Sequence, residues 1–163
     1  MALSNEIIEL ATEIVDTLRQ RNETLSTAES LTAGAVSSAI VTITGASDVF
    51  VGAITAYRDE IKISHLYVDP AVIAEHSSIS EQCAVEMAKG AIKSFGTTWA
   101  ISTTGVAGPN PLNAHPAGAV WVAIEGPVSA TIELSLSGER ESVRNAATAS
   151  AIATFARILR HRS

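Results

Sequence analysis

The residue in this chain best placed for chemistry is a serine at the junction of a strand and a helix. Ser30 follows Leu25 to Ala28, which reads as a short strand, and precedes the small-residue run Leu31 to Ile43, which reads as a helix stopped by Gly45. A side chain there is held by two rigid elements and faces backbone N–H groups that lack intrahelical acceptors, a natural oxyanion site. Serine is also a favoured helix N-cap, and spacing alone leaves nucleophile and cap both open. A nucleophilic serine needs a base. His65, His76, His115 and His161 are scattered, with no HExxH or HxH pairing, so no Ser-His-Asp pattern presents itself. Lysine is the main remaining option. Lys89 and Lys93 fall on an amphipathic helical pattern, where solvated lysines are expected. Lys62 follows Tyr57 by five residues, just past an apolar strand-like run. Desolvation at such a place favours the neutral amine that accepts a proton. A solvated lysine in a charged turn fits the same spacing, and Tyr57 fits equally as a core aromatic with a wet hydroxyl.

Two further groups could hold an anion or a carbonyl. In Thr104-Gly105-Val106-Ala107-Gly108-Pro109, glycines after a strand-like segment let backbone N–H groups approach a ligand, although a plain strand-to-loop turn has the same pattern. Arg140 and Arg144 lie one helical turn apart near the start of the last helical segment, placed to grip a phosphate or to stand as solvated charges. Glu29, Asp48 and Asp59 do not form a metal-ligand cluster by spacing, which disfavours a phosphate-dependent hydrolase and leaves no metal site to expect.

The elements that must position these groups are legible from periodicity. Ser4 can cap a helix with Ile7, Ile8, Ala11, Ile14, Val15 and Leu18 on one stripe, ending near Arg19 to Glu23. Val49 to Tyr57 is mostly apolar and predicts a buried strand, followed by the charged stretch Arg58 to Lys62 and a turn at Pro70. Ser80 opens a helix that Gly96 ends. Trp99 to Thr104, Ala119 to Ile124 and Ala130 to Leu136 read as strands; Ile132, Leu134 and Leu136 alternate with polar residues, so that sheet has one wet face. A closing helix from Glu139 to Arg160 carries Val143, Ala147, Ala151, Phe155 and Leu159. Without internal repeat or linker, the order predicts an α/β fold, a three-layer α/β/α sandwich with a mixed β-sheet, in which the hairpin supplies the antiparallel part.

Bulk properties agree. At 163 residues and 47% hydrophobic, the chain fits one domain, residues 1–163, able to bury a core without a disulfide or metal staple. Only 4% of residues are aromatic, so small and β-branched side chains must fill that core. A formal charge of −6 opposes the counterion release that drives non-specific nucleic-acid binding, and no nucleic-acid partner is expected. Cys83 is the only cysteine, which fits a reducing compartment. The amino terminus lacks a basic region followed by an apolar one, and no run approaches the ~20 apolar residues of a membrane span. A cytoplasmic protein without a membrane partner is the expectation. A homo-oligomer is expected too, since Ala- and Val-rich helices often leave an apolar face to bury.

Five short motifs in order resemble one family, the carboxy-terminal domain of the CinA competence/damage-inducible proteins, also known as PncC-type nicotinamide mononucleotide deamidases. Thr27-Ala28-Glu29-Ser30 resembles its TAES segment and Tyr57-Arg58-Asp59-Glu60-Ile61-Lys62 its Y-S-N-E-x-K segment. Thr104 to Pro109 resembles its TGIAGP loop, Pro116 to Trp121 its KPVGTVW strand, and Gly138-Glu139-Arg140 with Arg144 its GDRxxVR helix start. The resemblance runs from about residue 5 to 160 and implies the stand-alone form of the domain. It implies an amidohydrolase that converts nicotinamide mononucleotide to nicotinic acid mononucleotide and ammonia without cofactor or metal. Ser30 would attack, neutral Lys62 would take and return the proton, and Tyr57 would position or relay it. Backbone N–H groups after Ser30 would hold the oxyanion, and Thr32, Gly34, Thr104, Gly105, Ala107, Gly108, Arg140 and Arg144 would bind the substrate, a small pyridine nucleotide. The alternative is a non-catalytic nucleotide-binding or protein-interaction module of a competence or damage pathway; Lys62 buried and within hydrogen-bond reach of Ser30 in a concave pocket would favour the enzyme, and Lys62 solvated and far from it the module. Three departures stand out: Leu31 and Ala33 in the TAESCTGG pattern, with Ala33 expected to crowd a substrate at the helix start; Arg58 and Asp59 in place of Ser and Asn; and Asn110 to His115 in place of a glycine-rich stretch.

Overall fold

The computed structural model describes residues 2–162. Helix α1 (Asn5–Arg21) is capped by Ser4, whose Oγ accepts from Ile7 N, and ends at Asn22 in the left-handed region. There follow β1 (Leu25–Glu29), α2 (Ala35–Val41), β2 (Phe50–Thr55), α3 (Asp59–Leu66), α4 (Pro70–His76), α5 (Glu81–Phe95), β3 (Trp99–Gly105), β4 (Ala119–Glu125), β5 (Ala130–Ser135) and α6 (Arg140–His161). The strands form one sheet in the order β2-β1-β3-β4-β5; β1 is parallel to β2 and β3, while β3-β4 and β4-β5 are antiparallel. The mixed sheet and its hairpin are as the sequence predicts.

Helices cover both faces. On one, α1, α2 and α6 bury Ile14, Leu18, Val36, Ile40, Ile152 and Phe155 in one cluster with Leu25, Trp99, Ile101, Val122 and Ile124 of the sheet. Trp99 and Phe155 meet edge to face with centroids 5.3 Å apart. On the other, α5 lays Cys83, Ala84, Met87, Ala88 and Ala91 on Ala28, Ala100 and Ala123. Small side chains on both sides let α5 come close to the sheet and let α3 come close to α5. At Gly90 the approach is so near that a Cβ would lie 1.8 Å from the Leu66 carbonyl oxygen, so the position requires glycine.

Three local expectations are corrected. The helix after Ser30 begins at Ala35, not Leu31: residues 31–34 form a turn in which Ala33 (φ 49°) and Gly34 (φ 96°) are left-handed, and Gly34 is the N-cap. Ser30 is therefore not that helix's cap. Strand β2 is an edge strand with alternating exposure rather than a buried one, because only β1 pairs with it. The charged stretch from Arg58 is not a turn, since Asp59 begins α3, and Pro70 does not make a turn but occupies the first position of α4, behind the Asp69 cap. There its fixed φ and missing N–H cost nothing.

Candidate active site

The carboxyl ends of the three parallel strands converge, and each delivers part of one cleft. In open α/β sheets ligands gather at this edge, where neighbouring crossovers leave the sheet on opposite faces. Ser30 follows β1, Tyr57 and Lys62 follow β2, and the loop Thr104 to Pro109 continues from β3. The cleft holds about 470 Å³, a size suited to a small organic ligand. Of the residues singled out from the sequence, Ser30, Tyr57, Lys62, Thr104, Gly105, Ala107, Gly108 and Arg140 line it.

The turn carrying Ser30 is built by Glu29. Its carboxylate is fully buried and accepts from Val36 N (2.8 Å) and Ser37 N (3.1 Å) at the start of α2, from Thr32 Oγ1 (2.7 Å) and from Thr27 Oγ1 (3.2 Å). It does from a distance what a cap residue does locally, and the negative charge suits the positive end of the helix. From outside, Arg144 donates through Nε to Leu31 O (2.8 Å) and through Nη2 to Thr32 O (3.3 Å). Ser30 N donates to Thr103 O across the sheet edge at 3.0 Å. The turn is thus pinned on three sides. Its Leu31 and Thr32 N–H groups have no acceptor among the described residues. Ser30 itself is 7% exposed, all but enclosed by the cleft walls.

Lys62 also lines the cleft and is 2% exposed although it is a lysine. Packing of α3 against α5 encloses its methylenes. Its Nζ donates to Tyr57 O at 3.2 Å and to Asp59 Oδ1 at 3.5 Å, and makes no hydrogen bond to Ser30. Lys62 and Ser30 thus share one concave pocket without a bond between them. Tyr57 is 58% exposed, a wet aromatic at the rim, and its hydroxyl accepts from Arg140 Nη2 at 2.9 Å. Arg140 Nη1 donates to Gly108 O at 2.8 Å, so one guanidinium joins the rim tyrosine to the glycine loop. Cys83 is no rival nucleophile: burial pushes its thiol up to about 12, against the opposing pull of the Lys62 charge, and it stays protonated at neutral pH.

Three expected ligand-binding residues lie outside the cleft lining. The Thr32 side chain is wholly buried between Glu29 and Thr103 Oγ1 (2.7 Å), Gly34 caps α2, and Arg144 holds the carbonyls of the Ser30 turn. Ala33 is exposed and does not line the cleft, so its methyl does not narrow it. By contrast Asp59 and the segment from Asn110 to Asn113 do line it. Leu112 and His115 pair as a two-residue hairpin, with Asn113 (φ 49°) and Ala114 (φ 63°) both left-handed at its tip. Sequence reading missed Glu29 as a structural anchor. The only local signal was an acidic residue ending an apolar strand, and its partners Val36 and Ser37 are seven and eight residues away.

Comparison with known proteins agrees with this geometry. The profile of the CinA C-terminal domain matches residues 7–159. The chain belongs to the CinA C-terminal domain family. It is 36% identical over 147 residues, 90% of its length, to a CinA-like protein of Frankia casuarinae, and 40% identical over 134 residues, 80% of its length, to one of Dictyoglomus turgidum. It spans about a third of those relatives, 34% and 32%. Among solved structures, the competence damage-inducible protein A of Klebsiella pneumoniae superposes with TM-score 0.92 at 31% identity, covering 96% of this chain and 99% of that one. The competence/damage inducible protein CihA of Agrobacterium tumefaciens does so with TM-score 0.92 at 28% identity, covering 99% and 100%. The CinA fold and the α/β assignment therefore stand together. No helix among the described residues is long and apolar enough to cross a membrane.

Proposed function

We propose that this CinA-family chain is an amidohydrolase that converts nicotinamide mononucleotide to nicotinic acid mononucleotide and ammonia in the cytoplasm, with Ser30 as nucleophile and Lys62 as base. The observation that carries this reading is a lysine 2% exposed in the same cleft as a serine whose turn presents free backbone N–H groups. Nothing in packing alone calls for burying an ammonium there.

In the reaction, Lys62 as the neutral amine leaves its Tyr57 and Asp59 contacts and takes the Ser30 hydroxyl proton while Oγ attacks the carboxamide carbon. The N–H of Leu31, the residue after the nucleophile and part of the cleft wall, stabilises the oxyanion of the tetrahedral intermediate. Collapse breaks the C–N bond, and Lys62 returns its proton to the departing ammonia. Water, deprotonated by the same amine, then cleaves the serine ester, and the carboxylate product leaves with Ser30 regenerated. Tyr57 positions Lys62 through its carbonyl and lines the rim with its ring. Arg140 and the Thr104 to Gly108 backbone are the groups suited to the nucleotide phosphate. Arg144 serves the same reaction by shaping the oxyanion turn, and Thr32 and Gly34 by holding it.

The test is ammonia release from nicotinamide mononucleotide by the purified chain, beside Ser30→Ala and Lys62→Ala, with no metal added. Turnover by the wild type that falls at least a thousandfold, on the order of removing a nucleophile or its base, in both variants is expected. No release by a folded wild-type chain overturns the reading in favour of a non-catalytic nucleotide-binding module.

A further inference from the structure

Among the described residues that line the cleft Asp59 alone is acidic, and it replaces the asparagine of the resembled motif. It sits at the first position of α3, its side chain 43% exposed and its Oδ1 3.5 Å from Lys62 Nζ. The cleft therefore has a charge pattern. Lys62 bonds the carbonyl of Tyr57 and Arg140 bonds its hydroxyl, so the length of one tyrosine separates the Asp59–Lys62 pair from the guanidinium. Lys62 is buried while the Asp59 side chain is 43% exposed and meets it only at 3.5 Å, so the carboxylate is open to a ligand on its cleft side. A carboxylate in a partly enclosed cleft attracts a nearby cation far more than it would in water.

We propose that Asp59 is a specificity determinant that selects carboxamides carried on a cationic, N-substituted pyridinium ring over neutral aromatic amides. This rests on the amidohydrolase reading and names the ring charge that the site prefers. The arrangement also bears on turnover, since hydrolysis converts a neutral carboxamide into a carboxylate, which Asp59 repels and so helps to expel.

The experiment reads binding, not turnover. Affinities of the Ser30→Ala protein for the N-methylnicotinamide cation and for neutral nicotinamide are measured by calorimetry at low and high salt. The two probes share ring and amide and differ in charge. The expected result is a preference for the cation of about tenfold, shrinking as salt is raised, abolished by a further Asp59→Asn change and restored by Asp59→Glu. Melting curves of each variant establish that the fold is retained. Equal affinity for both probes, or loss of both in equal proportion on Asp59→Asn, overturns the inference and leaves Asp59 as a support for Lys62. The outcome is separable from that of the deamidase reading: a cation preference in a chain that releases no ammonia sustains the selectivity and sinks the reaction, while ammonia release without a preference does the reverse.

Discussion

At the scale of single residues, the site depends on side chains that never touch the cleft. Glu29 is the clearest case, a buried carboxylate with four donors around it. Removing one partner of such a set leaves buried N–H and O–H groups unpaired, which costs more than the bonds themselves contribute. Glu29→Ala is expected to lose about 3–5 kcal/mol of stability, measured by urea unfolding. Glu29→Gln keeps the shape and two acceptor lone pairs, and should lose less. Ala33 gives the opposite expectation. Its left-handed backbone (φ 49°) sets a Cβ against the following carbonyl. Because the residue is exposed and outside the cleft lining, Ala33→Gly should raise stability by up to about 1 kcal/mol after the extra chain entropy of glycine is counted, read from the same unfolding curves.

At the scale of elements, Lys62 is buried because α3 can lie on α5, and α3 can lie there because residue 90 has no side chain. A methyl at Gly90 would meet the Leu66 carbonyl at 1.8 Å, and backbone cannot give way as a flexible side chain would. Gly90→Ala is therefore expected to destabilise the fold by about 1–3 kcal/mol and to shift α3 outward. If the deamidase reading holds, kcat should fall with little change in the affinity of the Ser30→Ala background for nicotinamide mononucleotide, because the lysine moves and the β3 loop does not. Fold retained with kcat unchanged would mean that the α3–α5 contact does not place the base. Most of these elements were visible in the sequence. The stripes of α1 and α6, the Ser80 and Gly96 boundaries of α5 and the alternation of β5 all carry their own periodicity. The start of α2 was not, because small residues from Leu31 onward are compatible with both helix and turn. The distant carboxylate of Glu29 and two left-handed residues decide between them.

At the scale of the whole molecule, the two ends of the chain are tied by carboxylates. Glu13 of α1 takes Arg160 Nε and Nη2 of α6 at 2.6 and 2.5 Å, and that hydrogen bond holds it below the ordinary carboxylate range. Burial would raise Glu23, but bonds from Arg162 and from Trp99 Nε1 (2.7 Å) outweigh it and hold Glu23 low as well. Folded values below the unfolded ones mean that this stabilisation is fully present above the ordinary carboxylate range and is lost as pH falls through the depressed folded values. Glu23→Gln should accordingly melt below wild type at pH ~7, and the gap should close below about pH 4, in thermal scans across that range. On the outer edge of the sheet, Val41 (55% exposed) and Val51 (52%) lie on α2 and the edge strand β2, exposed apolar residues beside unpaired backbone. They support the proposed homo-oligomer. Sedimentation should find an assembly that Val51→Lys weakens, and a wild-type chain monomeric at high concentration would dispose of the idea. The sequence alone determined the fold class, the family and the candidates Ser30, Tyr57, Lys62 and Arg140, because periodicity and short motifs are local properties of the chain. Only the tertiary structure decided that Arg144 and Thr32 hold the Ser30 turn rather than line the cleft, that β2 lies at an edge, and that Asp59 faces the cleft beside Lys62. Those facts depend on which strand ends and helix faces meet in space, and no spacing along the chain encodes a distance between elements dozens of residues apart.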